Sequence, residues 1–154
     1  MQIKTVILFS KFLLMKNFLI TLFISVLFVS CQEKKAETFD VNLLNGYWEI
    51  EQVTLSDGTK KEYKINENID FFEIKKDSGF RKKVAPQLNG TYLVNDSEEK
   101  IKIEKSADGT YISYKTDYAT WKEKIKTLTK EQLILENDQN IQYQYKHPIP
   151  FTVK

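Results

Sequence analysis

The sequence predicts an all-β fold, a small antiparallel up-and-down β-barrel of about eight to ten strands. From Gly46 onward, apolar and polar residues alternate, without a fault over residues 100–104 and 141–146. Turn signals with Asp or Asn beside Gly or Ser separate these runs. The connections are too short for crossover helices, so we expect neighbouring strands to pair antiparallel and close into a barrel without exposed edges.

Each predicted strand ends at a residue pattern that breaks the alternation. The turns at 56–58, 76–79, 95–97 and 107–109 end the first, third, fifth and sixth strands, and Pro86 falls between the fourth and fifth, where a missing amide hydrogen costs little. The predicted strands cover residues 47–55, 60–66, 69–75, 79–84, 90–95, 100–105, 110–115, 121–128, 132–136 and 141–146.

The first thirty residues are typical of a secretory signal peptide. Lys16 gives a positive start, and residues 18–29 form an apolar run. A helix of that length spans about 18 Å, which is short of the ~30 Å hydrocarbon core of a membrane. A signal that begins at Met15 is complete and Lys11 would interrupt a longer one, so we expect translation to start at Met15. The alternative is an uncleaved anchor helix that also uses the apolar residues before Met15.

Ser30 and Cys31, at the end of the apolar run, resemble the lipobox of bacterial lipoproteins, with Phe28 where that motif usually has Leu. The resemblance implies that Cys31 becomes the first residue of the mature protein and carries lipid that anchors it to a membrane. Residues 31–41 then form the lipidated cysteine and a charged flexible tether, and residues 42–154 form the barrel domain. The implied location is the cell envelope, at the outer membrane, on its periplasmic or surface face.

Charge and composition exclude several functions. The first thirty residues hold three of the 23 basic residues and none of the 21 acidic ones, so the chain from Cys31 has a net charge of −1. Arg81 is the only arginine, and this scarcity argues against nucleic acid as a partner. A lipidated Cys31 leaves no thiol for a disulfide, a metal site or a nucleophile. His147, the only histidine, precedes Pro148 and is interpreted as an exposed terminal residue. We therefore predict no catalytic residue, no metal, no cofactor and no enzyme activity.

Gly46 and Trp48 open the first strand as Gly-x-Trp, which resembles the signature of lipocalins and related calycin barrels. The similarity extends over most of residues 43–147, where later strands look like those of the small lipocalin-like domains of bacterial lipoproteins. The resemblance implies a lipocalin-like barrel with Gly46 and Trp48 as its structural signature.

In that family, the tryptophan lies across one end of the barrel, commonly under an arginine from near the last strand. No arginine follows Arg81 here, so Lys146 or Lys154 is the expected substitute. We interpret Trp48 as a core anchor without a role in ligand binding.

Four residues are candidates for binding a ligand inside the barrel: Trp121, Glu123, Tyr143 and Tyr145. Glu123 shares a strand face with Trp121, and a buried Glu123 would need a tyrosine hydroxyl or an arginine as its partner. The favoured interpretation is that a twist or bulge turns Glu123 out to solvent. The alternative is that Glu123 points inward and orients a ligand.

Two functions of different classes remain. The first is a membrane-tethered barrel that binds a small apolar or amphipathic molecule, with tyrosine hydroxyls as polar contacts. The second is a non-enzymatic module with a solid barrel that binds or inhibits an envelope protein. A cavity lined by Tyr143, Tyr145 and Trp121 favours the first, and a filled interior with an exposed apolar patch favours the second.

Overall fold

The structure, a computed structural model, describes residues 38–95 and 97–149. The predicted signal peptide at residues 1–30, Cys31 and the tether up to residue 37 lie outside the described residues, as does Lys154. Within the described ranges, no helix is both long enough and apolar enough to cross a membrane.

The described residues form ten antiparallel strands in one sheet, and eight of these strands close into a barrel. The strands are β1 (Gly46–Thr54), β2 (Lys60–Glu62), β3 (Ile69–Lys75), β4 (Ser78–Pro86), β5 (Tyr92–Val94), β6 (Glu99–Ser106), β7 (Gly109–Lys115), β8 (Thr120–Leu128), β9 (Gln132–Glu136) and β10 (Gln142–Lys146). The ring runs β1, β3, β4, β6, β7, β8, β9 and β10, and β10 pairs with β1. The all-β barrel prediction is therefore confirmed.

The two strands outside the ring are shorter than predicted. The predicted strand 60–66 ends at Glu62, and the predicted strand 90–95 begins at Tyr92. One edge of β1 pairs with β3 through its first residues and with β2 through its last residues, so residues 63–68 between them loop out. The same arrangement holds for β5 and β6 along β4. Periodicity alone does not reveal this sharing of an edge.

A 3₁₀ helix, Val41–Leu44, which the strand pattern did not predict, lies at one end of the barrel and contacts β3 and β8. Asn45 fixes its end to β3, since its side-chain amide donates to the Ile74 carbonyl (3.1 Å) and its Oδ1 accepts from the Ile74 amide (2.6 Å). We call this the closed end. The β7–β8 and β9–β10 turns lie at the opposite end, which we call the open end.

The hydrophobic core lies inside the barrel between these ends. Its buried strand aromatics are Trp48, Phe72, Tyr114 and Tyr145. Four other rings, Tyr47, Phe71, Phe80 and Tyr92, contact one another in a separate cluster, with centroid separations of 4.1–6.2 Å. The core residues are Leu44, Trp48, Phe72, Ile74, Ile101, Ile103, Ile112, Tyr114, Ile125, Leu128, Leu133, Leu135 and Tyr145.

Gly79, at the β3–β4 turn, is required by a close approach of two strands. A Cβ atom at this position would lie 1.9 Å from the Glu73 carbonyl oxygen, a distance that no side chain tolerates. The tight β3–β4 hairpin keeps Arg81, which follows two residues later, directly opposite Phe72 on β3.

Candidate functional site

The closed end is built around Trp48, whose side chain is fully buried. Its indole Nε1 donates a hydrogen bond to the Leu44 carbonyl (2.9 Å), so the one polar group of the ring is satisfied. Gly46, two residues earlier, has a φ of +117°, a backbone conformation that favours glycine. Both residues of the predicted signature thus have a structural role.

The expectation that a lysine covers Trp48 is wrong for Lys146, which pairs with Glu49 (3.8 Å) and Glu51 (3.6 Å). The covering group is the His147 ring, which stacks on the indole with centroids 4.0 Å apart. Its Nδ1 also lies 2.8 Å from the Tyr47 carbonyl oxygen. His147 is solvent-exposed as interpreted, but its ring is held in place by these two contacts.

A second, polar cluster lies inside the barrel around the only arginine. Arg81 is 7% exposed, and its guanidinium binds Glu99 directly. It also lies 3.9 Å from Asp70 Oδ1 and 3.9 Å from Glu123 Oε2. Asp70 has a second partner, Lys83, at 2.6 Å. Three carboxylates from three strands therefore share one guanidinium.

Glu123 points into the barrel, so the favoured interpretation that it turns out to solvent is wrong. It is 7% exposed and belongs to the same inward row as Trp121 and Ile125. The β8 strand does contain a bulge, but this lies after Ile125, between it and Thr127. The alternation is therefore intact at Glu123, and Arg81 is the partner that a buried glutamate needs.

Burial sets the protonation of this cluster. Burial alone would lower the pKa of Arg81, but Tyr114, Asp70 and Glu99 raise it above its usual value, so the guanidinium stays charged. Burial raises the pKa of Glu123, and the opposing influence of Arg81 does not cancel this effect. Glu123 is thus a carboxyl group whose environment favours its protonated form relative to water.

Three buried polar atoms of the cluster form no hydrogen bond of ordinary geometry among the described residues, namely the Tyr114 hydroxyl, Glu123 Oε2 and Asp70 Oδ1. Asp70 Oδ1 lies 2.6 Å from Lys83 Nζ, whereas Tyr114 and the Glu123 carboxyl are close enough for hydrogen bonding between them to affect the pKa of each. Tyr114 is 1% exposed, and burial raises its pKa well above the usual value, so it keeps its proton and can donate or accept. A buried polar group left in this state costs about 1–3 kcal/mol. The fold therefore carries a local free-energy cost at this point.

The other predicted site residues surround the same cluster. The Trp121 ring is half-buried and stacks on Tyr114, with centroids 5.1 Å apart and an interplanar angle of 13°. Tyr145 is buried in the core, whereas Tyr143 is half-buried. Burial raises the pKa of Tyr143, and the nearby Glu123 charge raises it further.

Sequence reasoning missed Arg81 and Tyr114 as members of this site. Arg81 lies over the Tyr114 ring, with Cζ 4.3 Å from the centroid. The sequence contained a usable signal, since an inward glutamate requires a cation or a hydroxyl and the chain has one arginine. Pairing this arginine with Glu123 needs the barrel closure that brings β4 and β8 together.

The polar groups of the site include three carboxyl groups, one guanidinium and the Tyr114 hydroxyl. In the described part of the chain, no group of three His, Cys, Asp or Glu residues is placed to hold a metal ion. The carboxylates around Arg81 are occupied by its guanidinium and by Lys83. The Tyr114 hydroxyl and Glu123 Oε2, which Arg81 approaches only to 3.9 Å, can meet an incoming molecule beside the aromatic surfaces of Trp121 and Tyr143.

Residues 44–135 match the family model of the lipocalin-like domain. Two solved structures are similar over most of the chain. A lipocalin-like protein from Bacteroides uniformis ATCC 8492 is 16% identical, with a TM-score of 0.43 over 69% of this chain and 99% of that chain. An uncharacterized protein from Bacteroides eggerthii DSM 20697 is 12% identical, with a TM-score of 0.45 over 68% and 99%. No curated protein matches.

Proposed function

We propose that this chain, which belongs to the lipocalin-like domain family, binds one small amphipathic molecule at the open end of its barrel, without catalysis. The polar end of the molecule meets Tyr114 and Glu123, and its apolar part lies against Trp121 and Tyr143. The observation that carries this proposal is that the Tyr114 hydroxyl and Glu123 Oε2, both buried, have no hydrogen-bond partner outside their own pair among the described residues.

The position of these atoms supports a ligand entering from the open end. Tyr114 is the second-last residue of β7, and Trp121 is the second residue of β8, so both lie beside the β7–β8 turn. The Tyr114 and Trp121 rings stack on each other, and the Trp121 ring is the more exposed of the two. A ligand that contacts Trp121 can therefore reach the Tyr114 hydroxyl by burying its polar end.

The charges of the cluster favour a particular polar group. Asp70, Glu99 and Glu123 already share Arg81, so a further carboxylate beside them would add negative charge to a buried site. A hydroxyl or amino group can donate to Glu123 Oε2 and exchange a hydrogen bond with Tyr114. We therefore infer that the ligand carries a hydroxyl or amino group and not a carboxylate.

The first test is native mass spectrometry of the protein purified without detergent from its host's own envelope. The expected result is a stoichiometric adduct of a few hundred daltons that the Tyr114→Phe/Glu123→Gln variant lacks. The matched control is Tyr111→Phe/Glu73→Gln, which makes the same chemical changes outside the core and should keep the adduct. An apo mass for the natural protein, or an adduct kept by both variants, would contradict the proposed site.

A second test compares a hydroxyl group with a carboxylate on two ligands that have the same alkyl chain length. Decanol is expected to raise the unfolding temperature of the barrel more than decanoate does at neutral pH, because only decanol can donate to the free carboxyl oxygen. The Tyr114→Phe/Glu123→Gln variant should lose this difference. A larger shift with decanoate would show that Arg81 is the group that meets the ligand.

The membrane attachment is part of the same proposal and draws on the sequence alone. The apolar run before Ser30 and Cys31 supports cleavage before Cys31 and its acylation, which would tether the barrel in the cell envelope, at the outer membrane. Intact mass measurement of the membrane-extracted protein is expected to show a lipidated Cys31 as the first residue. Cys31→Ser should release the protein from membranes, and retention of that variant on membranes would contradict a lipid anchor.

The alternative function, an interface for an envelope protein, is favoured by a different observation. The β4–β5 hairpin exposes three apolar side chains, Leu88, Leu93 and Val94, each more than half exposed. Such side chains next to the open end suit contact with a protein partner. Their replacement by Ser should abolish capture of that partner and leave a small-molecule adduct unchanged, which distinguishes the two functions.

A further inference from the structure

The outer face of β6, β7 and β8 carries a concentration of lysines that the barrel interior does not use. We propose that this face binds the phosphate-bearing headgroups of an anionic membrane. The residues that define it, which we call the lysine face, are Lys100, Lys102, Lys115 and Lys122.

Strand register brings the four lysines together in two rows. Lys102, Ser113 and Lys122 are direct cross-strand neighbours, and Lys100 is directly opposite Lys115 in the next row. Neighbouring strands lie about 4.8 Å apart and alternate residues about 6.8 Å apart, so the four Cα atoms lie within roughly 10 by 7 Å. This density of one sign of charge is what an anionic surface attracts.

The lysines of the lysine face are not neutralised by ion pairs within the described residues. Among the described residues, none of its four lysines forms an ion pair, whereas five other lysines do. Like charges directly opposite each other destabilise a sheet, and Lys100 and Lys115 are such a pair. Lys122 has a cation–π contact with the Tyr111 ring, 5.2 Å from its centroid, but the opposed pair Lys100 and Lys115 costs stability that an anionic partner would relieve.

The shape of the face suits a layer of headgroups. The four lysines line an open cleft of about 640 Å³, together with Ser113 and Thr120. Tyr114 and Trp121 of the proposed ligand site also contribute to its lining. Glu104 and Asp138 are the acidic residues of its lining, and they are outnumbered two to one by the lysines. A hydroxyl-lined, lysine-rich cleft that opens to solvent can accept several phosphate groups at once.

The chemistry of lysine and the proposed tether favour a membrane as the occupant. Lysine is a compact hydrated charge that meets phosphates without a fixed geometry, and each one near an anionic membrane strengthens binding about fivefold. Ten residues lead from Cys31 to Val41 and span at most about 36 Å when extended. The length of this segment bears on membrane binding only through the proposed lipid anchor at Cys31. The charge pattern of the lysine face does not depend on that anchor.

The test is flotation of residues 32–154 with vesicles. This part of the chain lacks Cys31 and includes the entire closed barrel, which is a compact unit by its own contacts. Vesicles of phosphatidylcholine alone are compared with vesicles that also contain phosphatidylglycerol. The barrel is expected to bind only the anionic vesicles and to be released by about 1 M salt, which shortens the screening length from ~10 Å to ~3 Å.

Two variants with the same loss of charge make the test specific. Lys100→Gln/Lys102→Gln/Lys115→Gln/Lys122→Gln should lower vesicle binding at least about tenfold and should melt no lower than the natural protein. The control changes four exposed lysines elsewhere to Gln, namely Lys60, Lys61, Lys64 and Lys75, and should keep binding within about twofold. Equal binding by the two variants, or no preference for anionic vesicles, would overturn the proposal. Neither result alters the Cys31 mass or the barrel adduct, so the proposed function is tested separately.

Discussion

The two ends of this barrel treat buried polar groups in opposite ways. At the closed end, the one polar atom of the Trp48 ring is hydrogen-bonded to Leu44, and Asn45 satisfies both backbone groups of Ile74. Near the open end, the Tyr114 hydroxyl and Glu123 Oε2 have no hydrogen-bond partner outside their own pair in the described residues. The Trp48 and Tyr114 side chains are equally buried, at 0% and 1% exposed, so burial does not explain the difference.

The comparison indicates that the closed end was shaped for stability and the open-end cluster for binding. A satisfied buried group contributes to a unique fold, whereas an unsatisfied one costs free energy that a ligand can recover. Sites that bind or react commonly reduce the stability of the protein that holds them. Removing the buried polar groups that define each end should therefore change the free energy of unfolding with opposite signs at the two ends.

The largest expected effect is at the closed end. Trp48→Ala should lower the free energy of unfolding by about 3–5 kcal/mol, because it removes a fully buried ring and leaves a cavity. Urea unfolding of the purified barrel measures this change. A loss below about 1 kcal/mol would show that Trp48 does not anchor the core.

Arg81→Met should destabilise the barrel by about 3–5 kcal/mol at neutral pH, because it leaves buried carboxylates without the guanidinium that they share. Adding Glu123→Gln to this variant should restore part of the loss, since one of the uncompensated carboxylates is then neutral. If the two changes are simply additive in urea unfolding, Arg81 and Glu123 do not interact as described.

The pH dependence of the stability should distinguish the buried Glu123 from Glu136, which is only partly buried. The raised pKa of Glu123 means that the folded state binds the proton more tightly, so this contribution to stability is present below the unfolded pKa of about 4.3 and is lost as the pH rises through the folded value. Glu123→Gln should therefore become progressively more stable than the natural protein as the pH increases from about 4 to 8.

Glu136 is the matched control with the opposite sign. Its partial burial would raise its pKa, but hydrogen bonds from Gln142 and Lys126 outweigh this effect and hold the pKa below its usual value. Its contribution is present above the unfolded pKa and is lost as the pH falls through the folded value. Glu136→Gln should thus be the less stable protein at neutral pH, and thermal melts in which both variants shift in the same direction would contradict the assignment.

The smallest expected effect is at His147. His147→Ala removes the ring that stacks on Trp48 and should cost about 0.5–1.5 kcal/mol, because aromatic stacking adds this much beyond buried area. Lys146→Ala is the control and should change the free energy of unfolding by less, since it breaks only exposed ion pairs. A larger cost for Lys146 would restore the expectation that a lysine supports this end.

Much of the fold follows from local patterns in the sequence. Strict alternation and short turns were enough to place ten strands and to orient Trp121, Tyr143 and Tyr145 correctly toward the core. The site was harder to predict, because its members come from β3, β4, β6, β7 and β8. The position of a single bulge decides whether Glu123 points in or out, and hydrophobic periodicity gives no information about that position.

The covering of Trp48 illustrates the same limit at the other end. The sequence offered Lys146 and Lys154 as candidates, whereas the neighbouring His147 stacks on the ring. Pairing of β10 with β1 aligns Lys146 with Glu49 and directs its side chain to surface carboxylates. The next residue is thereby left beside the indole, a consequence of register that no local pattern shows.

The most direct test of the central claim is the free energy of unfolding of ligand-free Tyr114→Phe/Glu123→Gln at neutral pH, measured by urea titration beside the natural protein. If the polar cluster exists for a ligand, removing the Tyr114 hydroxyl and the charge of Glu123 should raise the stability by about 1 kcal/mol or more. If the double variant is instead less stable than the natural protein, Tyr114 and Glu123 support the fold, and the contrast between the two ends of the barrel is lost.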